Sequence, residues 1–455
     1  MPPLGAFRLC EATQSPVQIA RRGAIWQPHI NYCLGGTPFG PPRRYTRRGL
    51  INQVGQMTFT TVNTRTTRPL RIAQIVAPVE AVPPERYGGT ERVVSVLTEE
   101  LVRGGHEVTL FASGDSHTSA RLVPIADRAV WHDPRYVDPL PFMMTALDKL
   151  YSMADEFDII HNHMGFYTYP MARAHRTVPT VSTLHSRLDI PEWQFLYRRF
   201  ADLPVVSISD AQRHPIPWAN WLATIYHGIA LDEFPYQPRG RNYLAFLGRI
   251  SPEKGLDAAI RVAQRAGLPL KIGARMPLDQ PHNPEARADW RYWNDEVKPL
   301  INLPGVEYVG EVGAADKAEL LGGASALLFP IHWPEPFGLV MAEALACGTP
   351  VIGFPCGSVP EVIEDGVTGF VVPDEDGMVR AIERVHEIER SRCRWAAELR
   401  FSPTAMADRY EDVYRRLIEA GSAWLGNHGG ESRATEPIRA AGALVASAAL
   451  APIGE

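Results

Sequence analysis

Residues 334–351 read Pro334-Glu335-Pro336-Phe337-Gly338-Leu339-Val340-Met341-Ala342-Glu343-Ala344-Leu345-Ala346-Cys347-Gly348-Thr349-Pro350-Val351, and this run decides the fold. Glu335 lies in a Pro-flanked loop, a helix opens around Gly338, and Glu343 falls about one turn into it. Gly348 supplies a left-handed stop and Pro350 cannot continue the helix. Val351 and Ile352 then begin a buried strand. Two carboxylates and a set of free backbone N–H groups therefore face one spot at a helix N-terminus. The N–H groups and the positive end of the helix dipole suit an oxygen-rich anion. The carboxylates suit sugar hydroxyls, which donate to an ionised Glu. The plain alternative is an amphipathic helix with a solvated Glu at each end.

Upstream, Gly248-Arg249-Ile250-Ser251-Pro252-Glu253-Lys254-Gly255 follows the apolar run Tyr243 to Leu247. A strand ending in Gly-Arg, then a turn carrying Lys-Gly ahead of a helix, is a place to clamp a diphosphate. Arg249 offers a bidentate fork and Lys254 a mobile point charge. Alternatively they are two surface cations near a turn. Earlier in the chain stands Gly88-Gly89-Thr90-Glu91-Arg92.

Together, in this order and at this separation, the three motifs resemble glycosyltransferase family 4, the retaining nucleotide-sugar enzymes of GT-B fold. The resemblance runs from about Arg71 to about Ala420. It implies two Rossmann-like, doubly wound parallel-sheet domains facing a cleft, with a C-terminal helix crossing back. It also implies hexosyl transfer from a nucleotide-diphosphate sugar to a small-molecule, glycan or lipid acceptor. By the same resemblance, the Gly88–Gly89 loop closes on the donor phosphates and the acceptor. His185, ending Thr183-Leu184-His185, sits near the transferred sugar. Glu335 and N–H groups of its turn hold sugar hydroxyls, and Glu343 holds the ribose. Arg249, Lys254 and the helix start at Phe337, Gly338 and Leu339 are placed to stabilise the leaving diphosphate electrostatically. No residue stands out as a covalent nucleophile, so retention implies front-side attack, with the leaving phosphate taking the acceptor proton.

Composition fits a large enzyme. The 455 residues are 45% hydrophobic and 21% charged, enough for two sizeable cores. A net charge of −5 gives no basic surplus for nucleic acid. The five Cys form no Cys-x-x-Cys pair, which reads as reduced thiols in a cytoplasmic protein. No apolar run reaches bilayer-spanning length, although peripheral membrane contact stays open. Through Leu70 the chain carries nine Arg, one acidic residue (Glu11) and no Lys. Residues 1–68 therefore read as a disordered extension, with Met57 as an alternative start and a transit peptide as another reading. Residues 422–455 read as a disordered tail.

Between these ends strands and helices alternate. Ile72–Ala77, Val108–Phe111, Asp158–Ile160, Val178–Leu184 and Pro204–Ile208 read as strands of a first domain over 69–235. Thr90 is the candidate N-cap of its first helix, which stops at Gly104-Gly105. Asp115 to Leu150 reads as a long irregular stretch that, with Phe166, Tyr167, Tyr169, Trp193 and Phe195, lines an acceptor pocket or belongs to the core. The pattern restarts with Tyr243–Leu247, Leu270–Ile272, Val306–Val309, Leu327–Pro330, Val351–Phe354 and Gly369–Val372, giving a donor-binding domain over 236–402. An amphipathic helix over 403–421 braces the first domain. The ligand belongs between the two sheets, at the carboxyl ends of their strands.

Two motifs raise a metal. His161-Asn162-His163 puts two imidazoles on one side of a strand, but no third ligand follows by spacing. Asp374-Glu375-Asp376 contains an Asp-x-Asp, yet it follows Pro373 and precedes a helix, the setting of an N-cap. With Arg249 and Lys254 to offset the diphosphate charge, no metal and no cofactor are expected. A nucleotide-sugar epimerase of GT-B fold, a pyridoxal-phosphate-dependent phosphorylase and a non-catalytic sugar-nucleotide-binding protein are the alternatives. Nothing in the motifs selects the donor base, the sugar or the acceptor.

Overall fold

The computed structural model describes residues 68–85, 88–277 and 284–428. Its first strand, β1 (Arg71–Ile75), is apolar from Ile72 onward except for Gln74, so both faces need cover. Helix α1 (Gly89–Arg103) provides one, burying Val93, Val94, Leu97 and Leu101. There follow β2 (Glu107–Ala112), β3 (Arg121–Pro124), α2 (Leu140–Ser152), β4 (Ile159–Asn162), α3 (Tyr169–Ala174), β5 (Thr180–Thr183), α4 (Pro191–Arg199), β6 (Pro204–Ser207) and β7 (Asn220–Thr224). These strands form one parallel sheet in the order β3-β2-β1-β4-β5-β6-β7.

The second half repeats the scheme with β8 (Leu244–Arg249), α5 (Leu256–Ala266), β9 (Leu270–Arg275), α6 (Pro284–Tyr292), β10 (Val306–Gly310), α7 (Ala314–Gly323), β11 (Ala326–Phe329), α8 (Leu339–Ala346), β12 (Val351–Gly353), α9 (Val359–Val362), β13 (Gly369–Val371), α10 (Glu375–Arg384) and α11 (Arg390–Arg400). Its parallel sheet runs β10-β9-β8-β11-β12-β13. In each sheet the winding reverses beside the first strand, between β1 and β4 and between β8 and β11. Loops leaving such neighbours diverge and open a crevice at the carboxyl ends.

Helix α12 (Pro403–His428) returns to the first sheet, where Met406, Tyr410, Val413 and Tyr414 join the core of Ile72, Leu97, Val108, Ile159 and Val206. Two of its tyrosines also satisfy polar groups inside that core. Tyr414 Oη lies 2.6 Å from His161 Nδ1, and Tyr410 Oη 2.8 Å from Thr183 Oγ1. The helix continues past residue 421, where the sequence pattern ends it.

Two further readings are revised, and a third, open between acceptor pocket and core, is divided. Helix α1 begins at Gly89 with Gly88 at its N-cap, so Thr90 is already helical. The stretch from Asp115 to Leu150 is not irregular throughout, since it contains β3 and most of α2. Of the candidate acceptor aromatics, Tyr169 is buried and Phe166 packs against its cluster, while Phe195 faces solvent. The extension before Arg68 and the chain beyond His428 lie outside the described residues, as do Cys10 and Cys33. Cys347, Cys356 and Cys393 are buried. Among the described residues no helix is long and apolar enough to cross a membrane.

Candidate functional site

The site grows from the loops that leave β8 and β11. After β8 the chain makes a short turn, Pro252–Lys254, and passes Gly255 at φ +67°. A Cβ there would stand 2.3 Å from the Pro330 carbonyl oxygen, so only glycine lets this turn close on the end of β11. That approach brings Lys254 Nζ to 2.5 Å from Glu335 Oε2, which also accepts from Trp333 Nε1 at 3.0 Å. Glu335 is anchored through its backbone as well, its carbonyl accepting from Ser358 N at 2.9 Å. Gly338 caps α8 in the left-handed region at φ +74° and leaves the helix start facing the crevice. The expected cation–carboxylate–helix arrangement is thus assembled in one place.

Arg249, at the end of β8, donates to Glu253 at 2.6 Å and lies 3.9 Å from Asp289 of α6. Burial opposes ionisation of Glu253, but hydrogen bonds from its own backbone, Ser251 and Arg249 outweigh it and hold the carboxyl below its ordinary range. Arg249 therefore carries a counter-charge that a diphosphate would have to outbid. Glu343, one turn and more into α8, is 3% exposed and pairs with Lys317 of α7 at 2.5 Å. This partner has no local signal in the sequence.

From the first domain, Gly88 and Gly89 reach the same spot. A Cβ on Gly89 would lie 3.5 Å from Leu339 Cδ1, so the start of α1 stands against the start of α8. His185 stands nearby in a row of imidazoles. Its Nε2 is 3.0 Å from His163 Nδ1, whose other nitrogen is 3.2 Å from Gln74 Oε1, and its ring stacks on His227 at 5.2 Å. Burial keeps these rings neutral, holding His185 down to about 3 and His163 and His227 well below the ordinary histidine value. His163 and His227 were not singled out as sugar-site residues from sequence.

The crevice has two lobes sharing a wall of Gly88, Gly89, Arg249, Lys254, Glu335 and Gly338. The smaller, about 240 Å³, runs into the second domain past Gly273, Glu311, Lys317 and Glu343. The larger, about 680 Å³, runs along the first domain past His185, Trp193 and His227. All ten sequence-predicted site residues line one lobe or both, Phe337 in the larger and Glu343 in the smaller.

The two metal motifs are engaged otherwise. His161 uses both ring nitrogens on Tyr414 and Thr183. Asp374 caps α10, accepting from Gly377 N at 2.7 Å, while Glu375 pairs with Arg261 and Asp376 with Arg265. Among the described residues, no group of three His, Cys, Asp or Glu stands close enough to hold a metal ion.

Comparison with known proteins agrees with this geometry. A family model described as Glycosyltransferase Family 4 matches residues 87–232, and one described as Glycosyl transferases group 1 matches residues 241–387. The chain is 24% identical to O-antigen chain mannosyltransferase C of Escherichia coli, over 74% of this chain and 97% of that protein. It is 26% identical to phosphatidyl-myo-inositol mannosyltransferase of Mycolicibacterium smegmatis, over 73% of this chain and 92% of that one. Among solved structures it superposes on AviGT4, a glycosyltransferase involved in avilamycin A biosynthesis, with TM-score 0.58 and 24% identity over 77% of this chain and 98% of that one. It superposes on Anabaena Alr3699/HepE, solved with UDP and glucose, with TM-score 0.57 and 18% identity over 76% and 100% of the two chains.

Proposed function

As a member of the glycosyltransferases, with a family 4 first domain and a group 1 second domain in the GT-B fold, this chain is an enzyme, and we propose that it moves a hexosyl group from a nucleotide-diphosphate sugar to a hydroxyl acceptor with retention at the anomeric carbon and without a metal ion. The observation that carries this reading is the contact of Lys254 Nζ with Glu335 Oε2 at 2.5 Å, in the crevice that the α8 N-terminus and the Gly88–Gly89 turn also line.

Breaking the bond from anomeric carbon to diphosphate puts positive charge on the ring and negative charge on the leaving oxygen. Lys254, Arg249 and the free N–H groups at Gly338 and Leu339 stabilise the second charge. Glu335, held by Trp333 and Ser358, receives sugar hydroxyls and faces the first charge. The smaller lobe takes the nucleotide, with Glu343 on the ribose. The larger lobe takes the sugar and the acceptor, with His185 beside the sugar. Attack and departure occur on the same face, and the acceptor proton leaves with the diphosphate. The relatives named for mannosyl transfer and the neighbour solved with UDP and glucose support a nucleotide-hexose donor.

Thermal-shift titration with UDP, GDP, ADP and their hexoses tests this. A ligand at a hundred times its Kd adds about 2.7 kcal/mol of stability. Lys254→Ala and Arg249→Ala each remove a charge-assisted contact of roughly 1.5–3 kcal/mol, so each should weaken the nucleotide that binds by about 10- to 150-fold. Parent-like binding in both variants overturns the diphosphate clamp. Loss of turnover in EDTA, restored by Mn²⁺, overturns the metal-free mechanism.

A further inference from the structure

The larger lobe holds two features that the donor chemistry leaves unused. The first is Glu91, in the opening turn of α1, which lines the cavity and is only 8% exposed. Its Oε2 stands 3.2 Å from where a Cβ on Gly88 would sit, so the carboxylate lies directly over the glycine turn. Among the described residues its partner is its own backbone N–H, and no cation pairs with it. Burial pushes its carboxyl above the ordinary range, and neighbouring Glu80 adds to the shift. One backbone N–H leaves most of a carboxylate's acceptor capacity for a ligand's donors.

The second feature is Trp131, an indole 67% exposed that lines the same cavity. Its turn is pinned to the loop after β1, Val130 N donating to Pro78 O at 3.0 Å and Trp131 N to Val79 O at 3.1 Å. His132, next in the chain, lies 2.9 Å from Glu80. A rigidly mounted indole left open to water presents an apolar face ready for a ligand. Of the cations that line this lobe, Arg187 is forked onto Asp189 with both contacts at 2.6 Å, Arg249 is paired with Glu253 and Lys254 with Glu335.

We infer that this lobe receives a neutral, hydroxyl-rich sugar unit as acceptor, its C–H face against Trp131 and a hydroxyl donated to Glu91. The assignment rests on the glycosyltransferase reading above and adds the acceptor class to it. A phosphorylated sugar fits this end of the lobe poorly, because Glu80 and Glu91 place like charge beside it while the lobe's cations are engaged by Asp189, Glu253 and Glu335. Glu91 acts here by binding and orienting the hydroxyl, and the proton still departs with the diphosphate.

The test uses the full chain with radiolabelled UDP-glucose and GDP-mannose as donors. Methyl α-mannoside and methyl α-glucoside serve as neutral acceptors, and mannose 6-phosphate and glucose 6-phosphate as charged ones. A neutral glycoside should accept at least tenfold better than its phosphate. Glu91→Gln and Trp131→Ala should each raise the acceptor KM about tenfold while the donor KM moves less than twofold. If Glu91 serves only the positive end of α1, Glu91→Gln lowers the melting temperature and leaves the acceptor KM unchanged, which overturns the assignment. Preference for the phosphorylated sugars overturns it too, as does donor hydrolysis without transfer to either neutral glycoside. Absence of any nucleotide binding overturns the donor reading instead.

Discussion

Replacing Glu343 by Gln separates two roles that the sequence merges. From sequence, the expected outcome is a raised donor KM with little change in folding, because Gln is nearly as good a helix former as Glu. The structure changes the second half of that expectation. Glu343 Oε1 is 2.5 Å from Lys317 Nζ, with the two side chains 4% and 13% exposed. Gln keeps an acceptor for the ammonium but leaves a nearly buried positive charge without its counter-charge. Breaking such a pair from one side costs roughly 3–5 kcal/mol, and the retained hydrogen bond offsets about 1 of that. At about 2–4 °C per kcal/mol for a domain of this size, the melting midpoint should fall by roughly 4–16 °C. The double variant Lys317→Met/Glu343→Leu removes both charges, and apolar replacements of buried pairs are often neutral or stabilising. Calorimetry on both proteins, with donor KM measured below the lower midpoint, completes the test. The double variant should regain stability while its donor KM stays raised. If it regains both, Glu343 has no part in binding, and if Glu343→Gln melts like the parent, the ion pair contributes nothing.

Two other outcomes follow from the same site. Glu335→Gln keeps the length of the side chain but removes charge beside the developing cation, so kcat should fall more than donor affinity; equal small changes in both would make Glu335 a bystander. The buried histidines predict acid sensitivity. His185 is held down to about 3, and His161, His163 and His227 well below 6.5, all chiefly by burial. Unfolded histidines take up a proton near pH 6.5 while the native ones do not, so stability is full above that pH and falls as the pH drops from 6.5 toward the folded values. The slope is about 1.4 kcal/mol per pH unit for each histidine, and ordinary carboxylates do not titrate until lower pH. A urea midpoint that stays flat between pH 7.5 and 5.5 would refute it.

What the sequence made legible was whatever local pattern could encode. Continuous apolar runs marked the central strands, and the glycines at 104–105, 267 and 348 marked helix ends. Two strands escaped because they are short sheet edges with half-exposed faces. Strand β3 is Arg-Leu-Val-Pro, and β7 begins Asn-Trp soon after a Pro. The cations, the carboxylates and the glycine turn were readable as motifs, because each sits where a strand hands over to a helix. Their partners were not. Lys317 lies 26 residues from Glu343, and Tyr414 lies 253 residues from His161, distances at which no spacing rule operates. For the same reason His161 and His163 looked like a pair of possible ligands until tertiary contacts claimed their nitrogens. Gln74, the one polar residue in the run Ile72–Ala77, drew no notice as a site residue, and its contact with His163 joins segments 89 residues apart.

The return of α12 sets a timetable for making the protein. Chains emerge from the ribosome N-terminus first, and early domains commonly fold before later ones appear. Here the first sheet cannot finish its core until Met406, Tyr410, Val413 and Tyr414 have been synthesised, nor can His161 and Thr183 find their hydroxyl partners. The first half therefore holds Ile72 and Ile159 under α1 alone, short of the cover from α12, while the entire second half is translated. A stop codon before residue 403 would spare every strand of both sheets yet leave the older half permanently unfinished.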